Sequence, residues 1–150
     1  MILLCLLFPG MLLPLYAQDS ALRDNPAGMI GMTLEQAAAA LGNPSRVYAS
    51  RGEEPWQDDV VFVYDGHVSL YWYQNRVWQV RFDPGYEGSA GGLRIGMVRE
   101  QVSRTLGIPP ASSEEDGEVF VLSRRGIPLR LQVFYREGRV YDVYLYRGDF

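Results

Sequence analysis

The stretch Ile30-Gly31-Met32-Thr33-Leu34-Glu35-Gln36 recurs further along the chain as Ile95-Gly96-Met97-Val98-Arg99-Glu100-Gln101. Each copy is followed, at the same spacing, by a Leu-Gly-x-Pro block. That block is Leu41-Gly42-Asn43-Pro44 in the first copy and Leu106-Gly107-Ile108-Pro109 in the second. Self-similarity of this kind predicts that the chain repeats one structural unit.

Two strand-like segments repeat in the same order beyond these blocks. The first pair is Val61-Phe62-Val63 and Val119-Phe120-Val121. The second pair is Arg76-Val77-Trp78-Gln79-Val80 and Arg139-Val140-Tyr141-Asp142-Val143. Four matches in one order support a tandem repeat whose connecting loops differ in length.

Each copy begins with a short predicted helix. Thr33 is a natural N-cap, and Gln36 stands three residues later, which is the capping-box spacing. The Ala-rich segment 34–41 then forms the helix, and Gly42 ends it. The second copy has Val98 in the capping position, so the start of its helix is expected to be less well held.

Three strands are predicted to follow each helix, at 60–64, 68–73 and 77–82, then at 118–123, 128–135 and 139–146. The predicted fold class is α+β, with two tandem units that each pack a short helix on a three-stranded antiparallel β-meander. The expected divisions of the chain are a signal peptide at 1–17, a first repeat at 18–84, a Gly-rich linker at 85–92 and a second repeat at 93–150.

The N-terminal segment predicts export. Residues 1–17 are uncharged and almost wholly apolar, and Ala17 precedes polar Gln18 in the manner of a signal-peptidase site. The segment is shorter than the roughly 20 apolar residues of a membrane span. An uncleaved anchor is the alternative, because no Lys or Arg stands near the start. The expected location is periplasmic or outer-membrane associated, with no spanning segment in the mature chain.

Composition excludes several functions. All 14 basic residues are Arg, and the net charge is −4, so neither Schiff-base chemistry nor nucleic-acid binding is expected. Cys5 is the only cysteine and lies in the signal segment, which leaves the mature part without disulfides. His67 is the only histidine and is read as an exposed turn residue, so no metal, cofactor or catalytic residue is predicted.

One face of the predicted strands concentrates aromatic and arginine side chains. Residues of these types dominate the binding energy of many protein interfaces. The predicted partner-binding residues are Tyr71, Tyr73, Arg81, Arg130, Phe134, Arg136 and Tyr144. Two other readings stay open: Tyr and Phe also favour strands whatever they contact, and the two copies can pack these faces on each other.

The repeated pattern Gly-Met-Thr-x-x-Gln-(x)4-Leu-Gly-x-Pro resembles that of the SmpA/OmlA/BamE-type small outer-membrane proteins and of the β-lactamase inhibitory protein. In the first copy Gly31-Met32-Thr33, Gln36, Leu41-Gly42 and Pro44 carry this likeness. The resemblance implies a helical layer on an antiparallel sheet, an envelope location and protein binding without catalysis. The chain departs from those families in lacking a lipid-attachment cysteine, disulfides and a further helix in each unit.

Together these observations predict an exported, non-catalytic protein-binding module of the cell envelope that uses an aromatic sheet face. The alternative is a periplasmic protein that binds a small ligand or a peptidoglycan fragment on the same face. The expected partner is an envelope or secreted protein, and the sequence leaves its identity and the oligomeric state open.

Overall fold

The structure is a computed structural model that describes residues 25–54, 57–124 and 126–149. The segment 1–17, assigned as a signal peptide, lies outside these residues. The helices are α1 (Leu34–Leu41) and α2 (Arg99–Leu106), and a 3-10 turn covers Pro26–Gly28. The strands are β1 (Arg46–Ser50), β2 (Asp59–Tyr64), β3 (Val68–Tyr73), β4 (Arg76–Phe82), β5 (Ser112–Ser113), β6 (Gly117–Arg124), β7 (Ile127–Arg136) and β8 (Arg139–Arg147).

The eight described strands form one antiparallel sheet in the order β1-β2-β3-β4-β8-β7-β6-β5. The two halves of the chain meet where β4 pairs with β8, over four residue pairs from Gln79–Tyr146 to Phe82–Val143. The predicted fold class, two units that each carry a three-stranded meander, is therefore wrong. Each half supplies four strands, and pairing between β4 and β8 depends on contacts distant in sequence, which no local pattern encodes.

Helix α1 begins as its sequence predicts. The Thr33 hydroxyl accepts a hydrogen bond from the Gln36 amide at 3.2 Å, and the Thr33 amide donates to the Gln36 side chain at 2.9 Å. The helix ends at Gly42, whose φ of 75° lies in the region that favours glycine. Helix α2 begins after Val98 and has no side-chain cap.

The Gly-Met blocks connect each helix to the last strand of its own half. The Gly31 amide donates to the Val77 carbonyl at 2.8 Å, and the Val77 amide donates to the Met32 carbonyl at 3.0 Å. The same two bonds recur at 2.8 Å among Gly96, Val140 and Met97. Gly31 and Gly96 have φ values of 84° and 85°, which explains why glycine stands at both positions.

Both helices lie on one side of the sheet and share one core. Ala37 of α1 and Val102 of α2 are buried in a single apolar cluster with side chains of both halves. The strand residues of this cluster include Val68, Leu70, Val80, Phe82, Phe120, Leu131, Val133, Val143 and Leu145. Tyr86 and Ala90, within the predicted Gly-rich linker at 85–92, also belong to the cluster.

Two β-bulges change the predicted faces. The pairing of β3 with β4 shifts between Tyr71 and Trp72, and that of β7 with β8 shifts between Phe134 and Tyr135. Val77 and Val140 therefore turn into the core, where they are 0% and 2% exposed. Trp78 and Tyr141, which strict alternation along the strands would place in the core, are half-buried instead.

The pairing register also corrects the sequence match between β2 and β6. Leu70 and Val133 hold equivalent positions, since they face Val80 and Val143. Their partners on the other side are Phe62 and Glu118. Structurally, then, Phe62 corresponds to Glu118 and not to Phe120, and the match of 61–63 with 119–121 is displaced by two positions.

Replacing Thr33 by Ala removes the cap of α1 and is expected to lower the free energy of unfolding by about 1 kcal/mol. Thr33→Ser keeps the hydroxyl and is the matched control. Urea denaturation of the two variants and the parent protein measures the difference. Equal stability of the Ala variant and the parent would show that the capping box contributes nothing.

Candidate functional site

The side of the sheet opposite the helices is called the open face. It is defined by one row of side chains across all eight described strands, a second row across seven of them, and the neighbouring pair Phe134–Asp142. The first row is Arg46, Val63, Ser69, Arg81, Tyr144, Gln132, Val119 and Ser112. The second row is Tyr48, Val61, Tyr71, Gln79, Tyr146, Arg130 and Val121. No helix of the described chain covers these rows, so their long side chains form the surface.

Arg81 and Asp142 form an ion pair at the centre of the open face. The Arg81 Nε lies 3.1 Å from both Asp142 carboxylate oxygens, and Nη2 donates to Oδ2 at 2.6 Å. The Asp142 side chain is 9% exposed and the Arg81 side chain 31% exposed. Arg81 stands on β4 and Asp142 on β8, so this pair spans the junction between the two halves.

Aromatic rings surround the ion pair. Tyr144 lies beside it, with its ring centroid 5.4 Å from the Arg81 guanidinium carbon. Phe134 meets Tyr144 edge-on at 5.8 Å and 79°, a favoured arrangement of aromatic pairs. Tyr71 is only 9% exposed. The centre of the open face is therefore a packed platform in which these rings are held by their neighbours.

Burial controls the ionisation of the tyrosines on this platform. It raises the pKa of the Tyr71 hydroxyl to about 12, with a further contribution from Tyr144 that Arg81 partly opposes. Burial also raises the pKa of Tyr144. Both phenols therefore keep their protons at neutral pH and act as neutral hydrogen-bonding groups.

The seven residues predicted from sequence occupy two zones. Tyr71, Arg81, Phe134 and Tyr144 come together in the central platform. The other three, Tyr73, Arg130 and Arg136, lie at its margins and are exposed.

The guanidinium carbon of Arg136 stands 3.6 Å from the ring centroid of Tyr141. Such stacking holds a cation against an aromatic ring while leaving its hydrogen-bond donors available. Arg136 and Tyr141 therefore form one unit at the margin of the platform.

The margins of the open face are basic. The ion pairs of the described residues involve Arg51, His67, Arg81, Arg99 and Arg147. Arg46, Arg130 and Arg136 are absent from these pairs. Three arginines of this face thus lack a carboxylate at ion-pair distance, on a chain whose net charge is −4.

A shallow depression of about 340 Å³ lies at the second-half end of the platform. Its lining comprises Asp116, Phe134, Tyr135, Arg136, Tyr141, Asp142 and Tyr144. This volume is at the lower end of the range for small-ligand sites. The depression is continuous with the platform, because Phe134, Asp142 and Tyr144 belong to both.

Sequence reasoning missed three residues of this site. Asp142 is not among the predicted binding residues, although a carboxylate that becomes buried needs a partner for its charge. Tyr141 is not among the predicted binding residues, because the bulge beside it has no sequence signature. Tyr48 lies on β1, a strand that was not predicted.

His67 and Asp83 form a further polar pair beside the platform, and Asp83 is one of the charges that raise the pKa of Tyr144. The His67 Nδ1 is 2.7 Å from an Asp83 carboxylate oxygen at the β2–β3 hairpin, with a half-exposed ring. Among the described residues, no group of His, Cys, Asp and Glu side chains is arranged to hold a metal ion. Nor does the described chain contain a helix long and apolar enough to cross a membrane.

No protein-family model matches the chain, and no curated protein sequence matches it. Among solved structures it is similar to an extracellular protein containing an SCP domain from Bacillus anthracis, with a TM-score of 0.56 and 15% identity over 85% of this chain and 47% of that chain. A cysteine-rich secretory protein from Staphylococcus aureus is similar with a TM-score of 0.54 and 14% identity, over 81% of this chain and 46% of the other.

A DUF4309 family protein from Bacillus subtilis has a TM-score of 0.45 and 17% identity, over 77% of this chain and 78% of that chain. The chain spans about half the length of the first two proteins. At such identities the first two similarities show the fold alone.

These findings overturn the identification with SmpA/OmlA/BamE-type proteins and the β-lactamase inhibitory protein. The similar structures are SCP-domain and secretory proteins, and the strands form one eight-stranded sheet. The reason lies in what the motif encodes. Gly-Met-Thr through Leu-Gly-x-Pro specifies a loop, a capped helix and its end, but neither the number of strands nor their pairing.

Arg81→Met leaves the nearly buried Asp142 carboxylate without its counter-charge. We expect the free energy of unfolding to fall by about 2 kcal/mol, less than for a fully buried pair because Arg81 is partly solvated. Arg104→Met, at an exposed position of α2, is the control. Chemical denaturation measures the free energy of unfolding of both variants. An equal decrease in the two would show that the ion pair does not stabilise the fold.

Stability is expected to fall as the pH rises from 10 through about 12. The folded-state pKa of Tyr71 is about 12 and its ordinary value is 10.0, so in this window the unfolded chain loses a proton that the folded chain retains. Below pH 10 the contribution is fully present. Tyr71→Phe should flatten this dependence in urea melts at several pH values, and an unchanged slope would contradict the burial of the phenol.

Proposed function

We propose that the protein is an exported, non-catalytic module that binds a protein partner on the open face. The observation that carries this proposal is the set of three arginines without carboxylate partners, Arg46, Arg130 and Arg136, around an aromatic platform. The positive charge of these arginines suits an acidic surface on the partner. The partner is therefore an envelope or secreted protein that presents carboxylates.

The packed platform supports this role because its side chains need little ordering on binding. Phe134 and Tyr144 pack edge-on, and Arg81 is held by Asp142. Side chains that are already held lose less conformational entropy when a partner docks. Arg130 and Arg136 remain exposed at the margins, where charges chiefly set orientation and association rate.

The same geometry argues against catalysis on this face. The charge of Arg81 is engaged by Asp142. The raised pKa values of Tyr71 and Tyr144 keep both phenols protonated at neutral pH, so neither supplies a nucleophile or a base under ordinary conditions. Recognition is the role that these groups suit.

Export is the second part of the proposal. The uncharged apolar segment 1–17 supports it. Two similar structures are described as an extracellular protein and a secretory protein, and these descriptions concern those proteins. A location in the periplasm, or in association with the outer membrane, is the finer part of this proposal.

Binding of a peptidoglycan fragment or another small ligand is the second candidate function, and the depression at the second-half end of the platform favours it. Its volume of about 340 Å³ and its lining by Tyr141, Tyr144 and Arg136 suit a sugar ring with polar substituents. In this reading the binding site is the depression alone, and the distant Arg46 plays no part.

The test uses photo-cross-linking in cells that produce the full chain, with a benzophenone amino acid at position 73 on the margin of the open face. The captured partner is identified and purified, and its affinity for the protein is measured directly. Reversing two marginal charges, Arg130→Glu with Arg136→Glu, is expected to weaken binding by roughly tenfold or more.

The matched control reverses two exposed arginines outside the open face, Arg94→Glu with Arg104→Glu. It makes the same change in net charge and should leave the affinity within about twofold, because these side chains do not touch the proposed surface. Equal effects of the two pairs would reject the open face. Saturable binding of a purified disaccharide-peptide that Tyr141→Ala abolishes, without any captured protein, would assign the small-ligand function instead.

A further inference from the structure

The two halves of the sheet have similar backbones, so residues at equivalent positions can be compared directly. The register equates Phe62 with Glu118 and Val47 with Ser113, since Val47 faces Phe62 and Ser113 faces Glu118. Trp72 and Tyr135 are likewise equivalent, as the partners of Val77 and Val140. Leu34 and Arg99 are the first residues of the two helices. These positions lie on the helix side, near the outer edges of the sheet.

In the second half, the side chains at these positions are polar and form hydrogen bonds with one another. Glu118 accepts from the Tyr135 hydroxyl at 2.5 Å, from Arg99 Nε at 3.1 Å and from Ser113 at 3.2 Å. Arg99 also donates to the carbonyls of Glu114 and Glu115, each at 2.9 Å. The side chains of Arg99, Glu118 and Tyr135 are thus hydrogen-bonded within the chain.

In the first half the equivalent positions are apolar and open. Leu34 is 44% exposed, Val47 is 52% exposed, and Val60 beside them on β2 is 46% exposed. Phe62 packs on Trp72 with ring centroids 5.2 Å apart. The Trp72 indole nitrogen is buried and has no hydrogen-bond partner among the described residues. This region, the β1 patch, exposes the apolar surface that the second half replaces with hydrogen bonds.

The β1 patch adjoins a sheet edge with which no described strand pairs. Strand β1 ends the sheet on this side and is five residues long, whereas β5 at the opposite edge has two residues. Proteins usually blunt an exposed edge with Lys, Pro or a bulge. The charged residue of strand β1, Arg46, stands at its first position, the strand contains no Pro, and its pairing with β2 is regular over all five residues.

We propose that two copies of the protein associate through antiparallel pairing of their β1 strands. This inference is independent of the function proposed for the open face. The strand Arg46-Val47-Tyr48-Ala49-Ser50 is chemically symmetric about Tyr48, with apolar residues on both sides and polar residues at both ends. Pairing centred on Tyr48 sets Val47 of each copy opposite Ala49 of the other, and Arg46 opposite Ser50.

Charge favours this register. The two Arg46 residues stand four positions apart along the joined strands, about 13 Å, so their repulsion is largely screened at physiological salt. Val47 and Ala49 lie on the same side of the sheet as Phe62 and Val60, which they face. The two β1 patches therefore meet across the symmetry axis and bury their apolar side chains.

The same geometry limits association to two copies. The interface uses one edge of each copy and is its own complement, which closes the assembly. The opposite edge has the two-residue β5, where Arg99 donates a hydrogen bond to the Ser113 hydroxyl. Growth through that edge into a fibre is disfavoured.

Sedimentation of the full chain over roughly 1–300 µM, the range expected for a small interface, tests the proposal. The parent protein should pass from monomer to dimer. Val47→Lys should raise the dissociation constant at least about tenfold, because it buries two charges at the axis. Val121→Lys changes an equally exposed valine on β6 and should leave association unaltered.

Disulfide trapping tests the register in a Cys5→Ser background. Tyr48→Cys places the two sulfur-bearing residues directly opposite and should give a linked dimer, whereas Val47→Cys should not. A protein that stays monomeric throughout, or one that links as readily through Arg104→Cys on α2, would overturn the proposal. Linking of Tyr48→Cys solely to a different protein would also overturn it and would assign the edge to that protein.

Discussion

The pairing of β4 with β8 is the constraint on which the rest of this structure depends. It joins two halves of similar construction into one sheet. Because the sheet is continuous, both helices lie on the same side and share one apolar core. For the same reason the opposite side becomes a single surface, on which Arg81 from one half reaches Asp142 from the other. Neither half alone would carry the central ion pair.

The two halves have similar backbones but different side chains. Each Gly-Met block pairs with the last strand of its half through the same two hydrogen bonds. At equivalent edge positions, however, one half has Phe62 and Trp72 and the other has Glu118 and Tyr135. A repeated backbone needs conserved turn geometry, whereas its surface is free to diverge. The region near β5 therefore has hydrogen-bonded polar side chains, whereas the region near β1 exposes apolar ones.

Local features were predictable because their causes are local. The capping box at Thr33, the end of α1 at Gly42 and the six longer strands follow from neighbouring residues and from alternation. Strands β1 and β5 were missed, since short edge strands carry little periodic signal and are formed by pairing with β2 and β6. The bulges beside Trp78 and Tyr141 were missed for a related reason, because they adjust the register to a partner strand.

For the candidate site, alternation along single strands already placed Tyr71, Arg81, Phe134 and Tyr144 on one face. By itself the sequence thus determined the helices, the turns and which side chains share a face, since these depend on residues close together in the chain. Only the tertiary structure decided that the faces of both halves form one surface, that Asp142 pairs with Arg81, and that the β1 edge stays open. These features arise where segments distant in sequence meet, so they depend on strand order and register, which local residue patterns do not encode.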